Sequence, residues 1–542
     1  MRNWRKLTST FAILLVASLV LSACSFGGGD SGDAKGNVIN LIETAEPPNL
    51  DSARSTDSAS FTILNNVNEG LYRLDQDSKP TLGMAAEEPT KSDDNKTYTF
   101  KLRDANWSDG KPVTAKDFEY AWKRAMNPDT ASEYAFIMNA IDKAEEYNAG
   151  KAKAKEVGVK AIDDKTLEIR LKQDVPYLKD LLTFGTFLPQ RQDIVEKHGE
   201  KYALDPDKMV FNGPFVLSEW KHESSFTYKK NDQYWEKDVV KLDTVNVTIS
   251  KDATTSMNLY NTGKVDYTGV GSEFIDSNKD KPEYFLQPES TVFYTEMNQI
   301  KEDSIFKNAK IRKAVMIGID RQTEMDKILK NGVPAAGFVS PAIRGNDDKK
   351  FRELAKVNIE YNPQEAKKLF DEGLKELGLD KAPTVEIVGD DTSGAKDDLT
   401  FVKEQLKQNL GLEVKITSVP FKERLERGKK GNFDLLLGGW AADYNDAMSY
   451  LEIFTTGYSY NRGKWSNKQY DELVKKAQAN ENFDERLEQL LEAEKIMIED
   501  AGIAPGYFRS SPSLINQKIK DMHWHAIGPD YSLKWTYVEE GK

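Results

Sequence analysis

From residue 37 to its end the chain alternates segments with an apolar period of two residues and segments with a period near 3.6. No long low-complexity linker interrupts them. That alternation restricts the fold to sheets covered by helices, an α/β architecture. Residues 37–43 form a short apolar-rich run and read as a strand. In 96–103, Tyr98, Phe100 and Leu102 fall on one face, and 166–172 and 244–250 alternate likewise. Thr114 is placed to cap a helix over 115–126, with Phe118, Ala121, Trp122 and Ala125 on one face. Asp117, at the third helical position, completes a capping box. Asn362-Pro363 opens a helix running to Gly378. A helix over 401–410 stops at Gly411 and leads into a strand over 413–419; 433–438 reads as a buried strand. Residues 468–500 read as two amphipathic helices around Asn482. No period of 20–50 residues recurs, which sets solenoids and propellers aside. Residues 345–350 are a polar loop and nothing more. Without an internal linker, the domains are expected to be interleaved, with the chain crossing between lobes more than once.

The first residues read as an address, not as fold. Arg2, Arg5 and Lys6 precede an apolar run over 11–23 that ends at Cys24. The run is too short to span the ~30 Å of a bilayer core as a permanent helix. Leu21-Ser22-Ala23-Cys24 resembles the lipobox of bacterial lipoproteins. The resemblance implies a signal peptide over 1–23, cleavage before Cys24 and a diacylglyceryl thioether on Cys24. The plainer alternative is an ordinary secretory signal with an incidental cysteine. Against it, the only Cys of the chain stands where a lipobox needs it, and a Gly/Ser/Asp stretch follows. Residues 24–36 then read as a flexible tether. A diacylglyceryl group supplies the two chains that stable anchoring requires. No later segment has the ~20 apolar residues of a membrane span.

Length and composition exclude several classes. At roughly 150 residues per unit, 542 residues suggest three or four domain-sized units. With 75 basic against 88 acidic residues, the net charge of −13 argues against nucleic acid, which needs a basic field. One Cys forms no internal disulfide and no zinc ribbon. There is no phosphate-binding Gly-rich loop of the Walker type, no His-Glu-x-x-His and no Gly-x-Ser-x-Gly elbow. Four histidines leave few bases for a serine hydrolase. His523 and His525 share a face of an expected strand over 522–526; a metal pair is one reading, and two histidines on a strand is the preferred one. No cofactor or metal is expected. What the chain offers is aromatic surface beside isolated charges, at Trp107, Tyr294, Trp440, Tyr444, Tyr450, Tyr507 and Phe508. Core packing is the first reading of each, but aromatics with a few fixed polar groups also build small-molecule clefts.

An ordered set of motifs goes further. Glu46-Pro-Pro-Asn-Leu-Asp51 is followed by Asn68-Glu-Gly-Leu71, then by the most specific stretch, Trp107-Ser-Asp-Gly through Trp122. Asn212-Gly-Pro-Phe215 with Trp220, Asn231-Asp-Gln-Tyr-Trp235, Tyr260–Asp266 and Phe306–Ala314 continue the order. Gly439-Trp-Ala-Ala-Asp-Tyr-Asn-Asp446 and Ile503–Tyr507 close it. Together they resemble the extracellular solute-binding proteins of family 5, the oligopeptide and dipeptide receptors of ABC importers, over about residues 38–540. The resemblance implies a two-lobed, flytrap-like fold of the type II binding proteins. Lobe I would comprise 37–68, 189–292 and 508–542, with an inserted subdomain at 69–188; lobe II would be 293–507. Ligand touches both lobes only when they close, so it favours the closed state.

The resemblance also implies a site. Asp443 would take the α-ammonium of a bound peptide by charge-assisted hydrogen bonds. The peptide main chain would lie like an added strand on backbone groups at Ser58, Gly439 and Ala441. Trp440, Tyr294 and Tyr507 match aromatic cleft positions, and Tyr444 and Asn445 of the same motif join the peptide-binding set. Roomy, watery side-chain pockets would give low sequence selectivity. Two positions depart from the pattern. Some Gram-negative members have an Arg two residues before the Gly of the Gly-Trp pair, where this chain has Leu437. An acidic cleft position is Thr56 here. Both leave the docking of the peptide carboxylate, and hence peptide length, open. The leading expectation is a monomeric, lipid-anchored receptor on the outer face of a bacterial cell membrane, of Gram-positive type, serving an ABC permease. It is not expected to be an enzyme or to bind nucleic acid. Capture of muropeptides or peptide pheromones on the same fold is the alternative; a nickel or sugar ligand, or a surface peptidase, stands behind it.

Overall fold

A computed structural model describes residues 37–539 apart from 176, 347, 348 and 481. Cys24, the expected signal peptide and the expected tether lie outside the described residues. Eleven strands make one large sheet: β1 Val38–Glu43, β2 Phe215–Lys221, β3 Ser225–Lys230, β4 Thr244–Ile249, β5 Tyr267–Gly269 and β6 Tyr284–Met297 come first. β7 Gly332–Pro334, β8 Val385–Asp390, β9 Val414–Val419, β10 Leu435–Trp440 and β11 Ala504–Ile515 complete it. Their spatial order is β9-β8-β10-β6-β11-β5-β1-β4-β3-β2, with β7 added on β11.

The two longest strands, β6 and β11, carry the sheet from one half of the molecule to the other. Residues 292–297 of β6 pair with β10, and residues 513–515 of β11 pair with β5. Between these ends β6 and β11 pair with each other, and the register shifts between Pro288 and Val292 and again between Phe293 and Tyr294. Such irregularities bend a strand. The expected boundaries after 292 and 507 fall inside these two strands. There are two large apolar cores, and the first draws on both halves, taking in Phe338, Trp440, Tyr470 and Leu490. It unites them with Leu41, Val67, Phe100, Trp122, Tyr228 and many others. The other packs Ile311, Phe370 and Leu406 against Ile387 of β8 and Leu435 of β10.

Local rules account for most elements. Helix Ala115–Met126 buries Phe118, Ala121, Trp122 and Ala125, and Asp117 accepts from the Thr114 backbone N–H at 2.8 Å. It backs a separate four-stranded antiparallel sheet that contains Thr97–Lys101 and Thr166–Arg170. Asn362 caps helix Pro363–Glu376, and Asn482 caps Phe483–Glu499. Two expectations differ. The helix expected over 401–410 begins at Ser393, because Thr392 caps it and its first turns are polar and lack an apolar stripe. The strand expected over 522–526 is reduced to a two-residue pairing at His523–Trp524.

The motifs around Asn68, Asn212 and Asn231 meet in one buried place. Glu69 accepts from Arg73 Nη1 at 3.0 Å, from Tyr234 Oη at 2.8 Å and from Trp235 Nε1. The Asn212 side chain bonds both the N–H and the carbonyl of Glu69. Gly213 lies so close to the end of helix Ser58–Val67 that a Cβ would stand 2.5 Å from Asn68 N and Val67 C. Backbone cannot yield as a side chain can. Gly213→Ala is therefore expected to cost about 1–3 kcal/mol of stability, read as a lowered denaturant midpoint.

Candidate functional site

A cavity of about 900 Å³ lies between the two halves. Helix Ser58–Val67 points its first turn into it, and Asp57 caps that helix by accepting from Ser60 N at 2.8 Å. The opposite wall is β10 and the segment after it. β10 pairs with β6 along its whole length, from Leu435↔Met297 to Trp440↔Val292. On its other side it pairs with β8 only at Leu435 and Leu436. Past Leu436 that edge has no ladder partner among the described residues, and it faces the cavity. An unpaired edge is a template for another strand.

Asp443 stands at the end of this edge. Its N–H donates to Ser449 Oγ at 2.8 Å, and its Oδ1 accepts from Tyr134 Oη at 2.9 Å. Its Oδ2 is buried and has no partner among the described residues. Burial pushes the carboxyl well above the usual carboxylate range, and Glu452 pushes the same way; the Tyr134 hydrogen bond opposes them. A buried carboxylate with one oxygen unmatched is costly until a cation with donors meets it. An ammonium group is such a partner.

Neighbouring residues hold this geometry. Trp440 Nε1 donates to the Ser449 carbonyl at 2.8 Å, so Ser449 positions both Trp440 and Asp443. The Trp440 ring packs against Tyr134 and Tyr460. Gly439 gives room to Phe293, whose ring a Cβ there would meet at 3.2 Å. Phe293 stacks on Tyr507, centroids 5.0 Å apart. Tyr294 is buried edge-on against Phe338 and Phe454.

Of the residues expected from sequence, Ser58, Tyr294, Gly439, Trp440, Ala441, Asp443 and Tyr507 line the cavity. Thr56 and Leu437 line it as well. Tyr444 and Asn445 do not: their side chains turn away from the wall into packing contacts. Tyr444 Oη donates to Glu452 at 2.9 Å and its ring stacks on Tyr177, while Asn445 Oδ1 accepts from Arg344 N. His525 is held between Ser78 Oγ and Ser532 Oγ, both at 2.8 Å, and burial lowers its pKa to about 4. It sits in the packing as a neutral ring.

The sequence reading missed the residues that reach across. Tyr134, 309 positions before Asp443, has no local signal that pairs it with an acid. Beside it Glu133 lies 3.0 Å from Lys429 Nζ and 3.6 Å from Arg462 Nη2. Gln173 Nε2 donates to the Gln478 carbonyl at 2.6 Å. These contacts join the region before residue 188 to the region after 420.

The sequence pattern of the bacterial extracellular solute-binding proteins, family 5, matches residues 79–462. The chain belongs to that family. The dipeptide-binding protein DppE of Bacillus subtilis is 35% identical over 513 residues, 94% of each chain. The structure of Listeria monocytogenes OppA bound to peptide superposes with a TM-score of 0.90 at 40% identity, covering 94% of this chain and all of that one. The pheromone receptor PrgZ, solved to define its mode of peptide binding, gives 0.89 at 35% identity and 93% coverage of this chain. The fold is thus the two-lobed α/β architecture of the family 5 binding proteins, as the motif order implied.

Proposed function

We propose that this chain is an extracytoplasmic receptor that holds short peptides between two lobes and delivers them to an ABC import permease. The observation that carries the reading is the open edge of β10 ending at the unmatched oxygen of Asp443. An extended peptide has a strand's worth of backbone groups and one terminal ammonium, and the site presents a partner for each. The names of the similar proteins, which bind dipeptides, oligopeptides and a pheromone, support the same class of ligand. Capture of a signalling peptide would use the same edge, so nutrition and signalling differ here in the peptide and not in the contacts.

The lobes of this reading are those the motif order implies: 37–68, 189–292 and 508–542 as lobe I, 69–188 inserted in it, and 293–507 as lobe II. Ligand bridging them favours closure. Cys24 is assigned a diacylglyceryl anchor and residues 24–36 a tether, so that a monomer stands on the outer face of a Gram-positive cell membrane. No catalytic step is assigned; the peptide leaves as it arrived.

Native mass spectrometry of residues 25–542, freshly purified and again after unfolding, dialysis and refolding, tests the reading. The expected result is a ladder of added masses matching short peptides, lost on refolding and restored by mixed peptides. A bare mass throughout, with no shift on adding peptides, overturns it.

A further inference from the structure

Arg424 is a cavity residue that neither the sequence motifs nor the ammonium site uses. It projects from helix Phe421–Lys430 and is mostly buried. Its Nε donates to Asp390 Oδ1 at 2.7 Å, and its guanidinium lies over the Phe421 ring, 5.0 Å from the centroid. These two contacts fix its plane. A guanidinium has five N–H donors, and here one is used. Both Nη groups lack a protein acceptor among the described residues. The Nη pair is the edge that receives a carboxylate with two parallel bonds.

Gly438 explains where this edge lies. A Cβ on Gly438 would stand 2.8 Å from Arg424 Nη1. The guanidinium thus rests on bare backbone within the unpaired stretch of β10. The acids nearby are already engaged. Asp390 holds Nε, Asp57 caps helix Ser58–Val67 through Ser60, and Glu133 is taken by Lys429 and Arg462. Arg462, the neighbouring cation, spends Nη1 on the Leu425 carbonyl.

We propose that Arg424 is the carboxylate subsite of the cleft, receiving an anionic group of the bound peptide through its two Nη groups. The proposal rests on the peptide reading above. Gly438 precedes Asp443 by five residues. At ~3.3 Å per residue that is at most about 17 Å, which an extended peptide covers in about five residues. The carboxylate is therefore either the C-terminus of a peptide of up to about that length or an acidic side chain at or shortly before position five of a longer one. Leu437 then does not leave the cleft without a carboxylate partner: the cation comes from a different element.

Calorimetric titration of the wild type and of Arg424→Met tests this with matched probes. Penta-alanine and its C-terminal amide form one pair. Octapeptides with Glu or Gln at positions four to six form the other. The expected result is that the wild type prefers the charged member of one pair by about 10- to 100-fold, as for hydrogen bonds to a charged group. In Arg424→Met that preference falls to near one. Discrimination in the first pair assigns the C-terminus, and in the second the side chain. If Arg424→Met fails to fold, Arg424→Gln takes its place with the same fall of the preference to near one expected, since other cations line the cavity and wild-type ratios alone do not assign the subsite; a preference kept in the folded variant overturns it. Equal affinity within both pairs in the wild type, with binding retained, overturns the subsite and leaves the peptide reading standing. No binding of any probe overturns both.

Discussion

Asp443→Ala is expected to weaken the binding of a short peptide by about 2–5 kcal/mol, the range for truncating one partner of a buried charge pair. That is roughly a 30- to 5000-fold rise in Kd. Calorimetry with one peptide in free and N-acetylated form separates the pair from its surroundings. Acetylation should cost the wild type a similar amount and cost Asp443→Ala almost nothing more, because the two changes remove the same contact. Additive losses would show that the ammonium is bound elsewhere. The variant should not unfold. In the absence of ligand Asp443 is buried with Oδ2 unmatched, so removing it relieves a desolvation cost, and its one side-chain partner, Tyr134, keeps its place by ring packing. A thermal midpoint at or above that of the wild type, with binding lost, is the signature of a ligand residue.

The opposite signature is expected at Glu69. Glu69→Ala should cost about 3–5 kcal/mol of stability, as when one member of a buried ion pair is removed. Arg73 would remain as a nearly buried cation without its carboxylate, and Lys534 would keep Glu236 at 2.6 Å as its partner. Tyr234 and Trp235 would lose the acceptor that orients them. Denaturant unfolding reads the loss, and calorimetry on the folded fraction should find peptide affinity near that of the wild type, since Glu69 is not among the residues lining the cavity. Glu69→Gln keeps the shape but not the charge and should fall between the two. A variant with intact stability and lost binding would move Glu69 from scaffold to site.

These two acids show what motif reading separates and what it does not. Both sit in family motifs, and order along the chain marks them alike. Glu69 marks the place where three motifs fold against one another, whereas Asp443 stands on the cavity wall with one oxygen unmatched. Tyr444 and Asn445 carry the same lesson at closer range. They follow Asp443 directly, yet their side chains brace Glu452, Tyr177 and Arg344 and not the cavity wall. The loop after β10 turns there, and a turn redirects side chains in a way that residue spacing does not record.

What the sequence determined by itself was local and periodic: strands such as Val38–Glu43 and Thr97–Lys101, the capped helices at Thr114, Asn362 and Asn482, and the α/β class they impose. Caps and apolar periods act over a few residues, so the chain carries them in readable form. The motif order identified the family and pointed to Asp443 and Trp440. Only the tertiary structure decided that Tyr134 meets Asp443, that Lys429 and Arg462 clasp Glu133, and that Arg424 lies on Gly438. The first two pairings join residues about 300 positions apart in the chain. The third joins a helix to a strand edge left open where β8 ends. Each depends on how β6 and β11 carry one sheet across the molecule, a property of the assembled sheet and of no single segment.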